Sequence, residues 1–185
     1  MIKQFVLTLG LFILATLPVL AQSSMSVGPQ VGIYKSRDAD NMNVMGGAAL
    51  RLNLQGLGIE GSVNYREESY DNDHMTVKSL PVMVTGLLYV LPVVYGAVGA
   101  GWYNSSIDYA YPPGYKGGLG NTSSETKQQF GWHFGGGADL PLGTSARLIG
   151  DIRYVFLDYN FTTIPGADGL NSNFYVITAG LLFNL

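Results

Sequence analysis

Between Lys127 and Leu157 the chain alternates apolar and polar residues with a period of two. Phe130, Trp132, Phe134, Ala138 and Leu140 fall on one face, and Lys127, Gln129, Gly131, His133, Gly135, Gly137 and Asp139 on the other. After Pro141-Leu142-Gly143-Thr144 the alternation resumes, with Ala146, Leu148, Ile152, Tyr154 and Phe156 against Arg147, Asp151 and Arg153. Successive side chains of an extended chain point to opposite faces, so a period of two predicts strands. Two such runs joined by a short Gly-containing link predict an antiparallel hairpin.

The same pattern recurs along the chain. Strands are predicted over Met25–Lys35, Met42–Leu54, Leu57–Glu67, Met75–Val90 and Val93–Asn104, then in the hairpin above, and finally over Ser172–Leu185. Pro81 cannot donate to a ladder, so a bulge is expected there. The facing of the fifth strand is left open by its run of small residues. Gln55-Gly56 and Leu91-Pro92 read as tight turns. Arg37–Asn41, Glu68–His74, Ser105–Glu125 and Asp158–Asn171 read as longer connections. Eight strands whose connections alternate long and short predict an all-β fold, an eight-stranded antiparallel up-and-down barrel.

Which face points inward follows from the glycines. A polar face in water gains nothing from glycine, which weakens strands. A polar face crowded into a narrow barrel needs small residues beside its few long charged ones. The apolar face then points outwards, and no charge sits at a mid-strand position on it, as hydrocarbon contact demands. This predicts a transmembrane β-barrel rather than a soluble lipocalin-like one. Aromatics gather near predicted strand ends, as interfacial girdles would: Tyr65, Trp102, Tyr103, Phe130, Trp132, Phe156 and Tyr175 on the long-connection side, with Tyr89, Tyr95 and Phe183 on the short-turn side.

Composition narrows the function. The chain has 185 residues, enough for one domain, with 12% charged residues, a formal net charge of −3 and no cysteine. Thiolate metal sites and disulfides are excluded, and no basic cluster offers a nucleic-acid surface. Lys3, the apolar run Phe5–Leu20 and Val19-Leu20-Ala21 read as a secretory signal over Met1–Ala21, with cleavage before Gln22 and the barrel domain over residues 22–185. Beyond that segment no apolar run is long enough for a spanning helix, so only a closed barrel could cross a bilayer.

The inward charges are the first candidate site. With Gln55-Gly56 as the turn, Arg51 is predicted opposite Glu60. A hairpin centred on Gly143 would set Asp139 against Arg147, Gly135 against Asp151 and His133 against Arg153. Directly opposed residues interact. These side chains are expected to form an electrostatic core that fills the barrel; a narrow pore lined by them is the alternative. Loop chemistry comes second. Asp71, Asp73 and His74 with Ser105 and Ser106 would suit a rim hydrolase or acyltransferase, but their spacing matches no family. Asp38, Asp40, Glu67, Glu68, Asp71 and Asp73 read as a solvated acidic rim, with divalent-cation binding the lesser reading. Tyr109, Tyr111 and Tyr115, set among glycines and prolines, suit an adaptable recognition surface. The Asn-X-Ser/Thr triplets at Asn104, Asn121 and Asn160 read as chance matches.

A signal sequence, eight alternating strands and a last strand ending Gly180-Leu181-Leu182-Phe183-Asn184-Leu185 together resemble the small bacterial outer-membrane barrels. That superfamily includes the OmpA transmembrane domain, OmpX and the opacity-type proteins. Phe134-Gly135-Gly136-Gly137-Ala138-Asp139 and Tyr95-Gly96-Ala97-Val98-Gly99-Ala100-Gly101 carry the resemblance as part of the whole pattern. Family members usually end in an aromatic residue read by the barrel-insertion machinery; here Leu185 is last and Phe183 stands two before it. The resemblance implies a bacterial outer-membrane location, contact with lipid and lipopolysaccharide, dependence on the insertion machinery, a monomer, and no peptidoglycan-binding domain after the barrel. It implies no cofactor, no metal and no enzymatic activity. The function expected is a structural or surface-interaction role through the loops, with an extracellular ligand as partner; a narrow porin or small-solute channel is the alternative, and a lipid-modifying rim enzyme the third reading.

Overall fold

A computed structural model of the chain describes residues 24–36, 42–70, 75–110, 122–157 and 173–185. Within them lie eight strands: β1 (Ser24–Ser36), β2 (Asn43–Leu54), β3 (Leu57–Tyr70), β4 (Met75–Leu91), β5 (Val94–Ala110), β6 (Thr122–Leu142), β7 (Ala146–Leu157) and β8 (Phe174–Asn184). Each pairs with the next, and β8 closes on β1 to complete an antiparallel barrel. No sheet edge is left among them, which is what a bilayer requires of strands.

Gln55-Gly56 turns the chain between β2 and β3, with Gly56 at φ +89°. Gly143 opens the β6–β7 turn at φ +70°, a left-handed conformation that glycine adopts without steric cost. Closure fixes the stagger. Stepping across the ladder from Ser26 leads through Arg51, Glu60, Thr85, Gly99, His133, Val155 and Phe174 back to β1 at Ser36. The circuit therefore returns ten residues further along β1, the difference between positions 36 and 26. Strands in such barrels tilt by roughly 35–45°, and eight of them leave an interior that side chains just fill.

The faces divide as the alternation predicts. Val31, Val44, Leu57, Ile59, Val84, Leu88, Val98, Phe134, Ile152 and Ile177 all point outwards and are exposed. Ser26, Gln30, Arg51, Glu60, Ser62, Asn64, Thr85, His133, Asp139 and Thr178 point inwards and are buried. Burial and polarity thus run opposite to a water-soluble core. Lys35, Glu67 and Lys78 are charged, exposed and outward, and all three lie towards the long-connection end of their strands.

Three expectations are corrected. Pro81 causes no bulge: the register Val63↔Val82 and Arg66↔Ser79 passes it unbroken, and the irregularity lies at Tyr89/Leu91 beside the next turn. The segment Ser105–Glu125 is not wholly a connection, because β5 continues to Ala110 and β6 begins at Thr122. The sequence hides this extension because residues 105–125 are rich in Gly, Pro, Tyr and Ser and the apolar alternation lapses there. Finally, Tyr95 and Tyr103 are not girdle residues. Each is only 1% exposed and points into the barrel, while Tyr89 is half-buried at the mouth.

Inside the barrel, close strand approach makes glycine necessary at Gly99. A side chain there would press on the Val84 carbonyl oxygen and lie 2.7 Å from His133 Nε2. Gly99→Val is expected to cost about 1–3 kcal/mol, the usual penalty for overpacking. A lower urea midpoint for the refolded variant checks it, and an unchanged midpoint would refute this packing.

Candidate functional site: the ionic interior

The short β2–β3 turn places Arg51 directly opposite Glu60. Arg51 Nε donates to Glu60 Oε2 at 3.1 Å, and its Nη2 pairs with the same oxygen. The guanidinium also reaches across the barrel, donating from Nη1 to Asp139 Oδ2 of β6 at 3.2 Å and from Nη2 to the Tyr95 hydroxyl of β5 at 3.1 Å. Its carbon stands 4.8 Å over the Tyr95 ring, within cation–π range. Arg51, Glu60 and Asp139 are fully buried.

A second arginine enters from β7. Arg153 Nη2 donates to Glu60 Oε1 at 2.7 Å, and Nη1 donates to Thr85 Oγ1 at 3.1 Å. Its Nη2 also lies 3.2 Å from Asp151 Oδ2. The separation of Arg153 Nε from Asp151 Oδ1 is 2.8 Å, an ion contact whose angles fall outside a hydrogen bond. Tyr95 donates its hydroxyl to Asp151 Oδ2 at 3.1 Å. At the turn-side mouth Arg147 Nε donates to Asp139 Oδ1 at 2.7 Å, and the Tyr89 hydroxyl lies 2.7 Å from Asp139 Oδ2.

Three arginines and three carboxylates therefore close on one another, and Tyr95, Tyr89 and Thr85 extend the network. It ties together β2 to β7. Buried charges survive only when paired and hydrogen-bonded, and each carboxylate here meets at least one arginine. This lattice stands across the lumen as a cross-link between strands.

The β6–β7 register differs from the one expected. The turn comprises Gly143, Thr144 and Ser145, and centres one residue later than Gly143. Asp139 therefore faces Ile149, Gly137 faces Asp151, Gly135 faces Arg153, Pro141 faces Arg147 and His133 faces Val155. Moving the turn centre by one residue moves each partner by two, so no side chain changes face. Arg147 still reaches Asp139, diagonally. His133 joins no ion pair among the described residues: its Nε2 lies 2.9 Å from Thr85 Oγ1.

A second layer, missed in the sequence, sits above the first. Arg66 is 3% exposed and its guanidinium carbon lies 4.3 Å, 5.2 Å and 5.6 Å from the ring centres of Phe174, Tyr34 and Tyr103. The alternation of β3 already puts Arg66 on the polar face; the inward aromatics carry no such signal, because the pattern assigns apolar residues to the outside. Between the two layers Ser62 Oγ, Asn64 Nδ2 and His133 Nδ1 are buried without a hydrogen-bond partner among the described residues.

The loop candidates are not assembled. Tyr109 lies in the β5 ladder, and Tyr111 and Tyr115 fall outside the described residues, as do His74, Asp71, Asp73, Asp38 and Asp40. Ser105 is fully buried and donates to Ser79 Oγ at 2.9 Å, whereas the next residue, Ser106, is on the opposite face. The two serines cannot serve one rim site. Glu67 is exposed and accepts from the Tyr65 hydroxyl at 3.0 Å. Among the described residues no three His, Asp or Glu side chains converge as metal ligands would.

The fold is shared with solved outer-membrane barrels at low identity. A major outer membrane protein from Thermus thermophilus is 16% identical, with a TM-score of 0.61 over 89% of this chain and 100% of that one. Neisserial surface protein A is 10% identical, with a TM-score of 0.53 over 88% and 97% of the two chains. Ail, the attachment invasion locus protein of Yersinia pestis, is 15% identical, with a TM-score of 0.52 over 88% and 97%. No curated protein matches by sequence. Residues 5–183 match the family described as outer membrane protein beta-barrel domain, and the chain belongs to that family.

Proposed function

We propose that this outer-membrane barrel is closed to solutes, anchors in lipid through its outward face, and acts structurally and through its extracellular connections rather than as an enzyme. The observation that carries the reading is the ionic lattice across the lumen: Arg51, Glu60 and Asp139 are each 0% exposed. The outward apolar face suits lipid and lipopolysaccharide acyl chains, and the last strand suits the barrel-insertion machinery. Met1–Ala21 is read as a signal peptide that exports the chain as a monomer to the outer membrane.

Planar-bilayer recording tests this, on protein isolated from outer membranes whose intact mass also reports loss of residues 1–21. Silence is expected from protein that still shows the heat-dependent mobility shift of a folded barrel on SDS gels. Steady conductance steps would overturn the closed reading. The second reading, a narrow channel, is favoured by the unpartnered Ser62 Oγ, Asn64 Nδ2 and His133 Nδ1, which suit water inside the lumen. Conductance whose ion selectivity changes in Arg51→Ala would establish it.

A further inference from the structure

The β1–β8 seam closes the barrel, and its ladder is interrupted near the turn-side end. Rungs run from Ser26↔Asn184 to Val27↔Phe183 and resume at Gln30↔Gly180 in the same register. The two between, Gly28 with Leu182 and Pro29 with Leu181, are missing. The cause is local. The Leu185 N–H donates to the Met25 carbonyl oxygen at 2.9 Å, so alternate residues of β1 from Met25 onwards turn their backbone groups towards β8. Pro29 is one of them and has no N–H to give. The Leu181 carbonyl oxygen opposite it therefore lacks its ladder donor.

A second seam with missing rungs is braced where this one is not. β3–β4 drops the rungs at Pro81 and Leu80. There Glu60 and Thr85 stand directly opposed, and Arg153 donates to both, to Oε1 at 2.7 Å and to Oγ1 at 3.1 Å. The long-connection half of β1–β8 has its own clamp. Arg66 of β3 lies against both Tyr34 of β1 and Phe174 of β8, whose rings meet edge to face at 5.9 Å. Gln30 donates to Asn64 Oδ1 at 2.7 Å. Below Gln30 no side-chain hydrogen bond or ion pair crosses the seam among the described residues. Ser26 Oγ has no partner there, and Asn184 Nδ2 turns away to the Thr144 carbonyl oxygen at 2.7 Å. No tight turn joins β8 to β1 as Gln55-Gly56 joins β2 to β3. Behind the break the interior is apolar, with Ala49, Ile149 and Leu182 in one buried cluster. Parting these two strands breaks no ion pair, because the lattice draws its charges from β2, β3, β6 and β7.

We propose that the turn-side half of the β1–β8 seam is a lateral gate towards the bilayer. It parts from the strand ends up to the Gly28–Pro29 break, while Arg66 and its rings hold the other half shut. The ionic lattice stays in place when it opens, so this movement is distinct from conduction through the lumen.

Amide hydrogen exchange tests this on the intact barrel refolded in phospholipid bicelles, followed residue by residue by nitrogen–proton correlation. Val27 and Phe183 form a rung between the break and the strand ends, and Leu52 and Ile59 form the matching rung of β2–β3. Ile33 and Ile177 pair above the break in the same seam. Val27 and Phe183 should exchange about tenfold faster, or more, than either of the other pairs. Pro29→Ala restores the missing donor. It should slow Val27 and Phe183 by about threefold or more, the worth of one ladder hydrogen bond, and leave Leu52 and Ile59 unchanged. Equal rates in the three pairs overturn the proposal. So does an unchanged rate at Val27 and Phe183 in Pro29→Ala, or a slowing that Leu52 and Ile59 share, which would report global stabilisation instead.

Discussion

Glu60→Ala should lower the stability of the folded barrel by about 3–5 kcal/mol, because it removes the carboxylate that stands between two buried arginines, Arg51 and Arg153, and takes a partner from each. Glu60 Oε1 accepts from Arg153 at 2.7 Å, and Oε2 pairs with Arg51. Without it Arg51 retains Asp139, and Arg153 retains Asp151, but two buried guanidiniums then repel each other with nothing between them. Arg147→Ala supplies the contrast. Its side chain is 19% exposed at the mouth, and Asp139 keeps Arg51 and Tyr89 as donors. Its loss should cost about 1 kcal/mol or less, as for pairs that water can reach. Urea titration in lipid vesicles, read by tryptophan fluorescence, measures both. Equal and small effects would mean that water replaces the carboxylate, and the lumen would then be hydrated rather than closed.

The barrel is legible in the sequence wherever one face of a strand meets lipid. In β3, Ile59 and Val63 against Glu60 and Ser62 define the facing, and the observed burial alternates accordingly. The alternation lapses for two physical reasons. In β5 small residues occupy both faces, so the pattern does not reveal that Tyr95 bonds Arg51 and Asp151 inside. Beyond Asn104 the chain turns to Gly, Pro, Tyr and Ser with no apolar stripe, so the ends of β5 and β6 read as a connection. The Arg51–Glu60 contact is readable because a two-residue turn fixes register. The links from Arg51 to Asp139 and from Arg153 to Glu60 run between strands far apart in sequence, and only closure of the barrel brings them together. The same limit hides the Arg66 layer. Its three rings come from β1, β5 and β8, and no local pattern connects them.

An arginine on the outward face tests the membrane reading at the opposite surface of the same strands. Val84 is 54% exposed and sits midway along β4, flanked by Gly61 of β3 and Ala100 of β5. Those neighbours are small and apolar, so a guanidinium there finds no partner on the surface. Val84→Arg should therefore cost about 2–4 kcal/mol in a bilayer, the penalty for a charge at the midplane of a barrel's lipid face. Val90→Arg is the matched control. Val90 is comparably exposed, at 65%, yet lies next to the β4–β5 turn, where headgroups and water are within reach. Its penalty should fall to about 0–1 kcal/mol. Both variants leave the ionic interior untouched, and they differ in depth along the lipid face, with Val90 also sitting at the ladder irregularity between Tyr89 and Leu91. Equal penalties at the two positions would mean that hydrocarbon does not surround the middle of β4, and the orientation of the barrel argued from its glycines would fail with it.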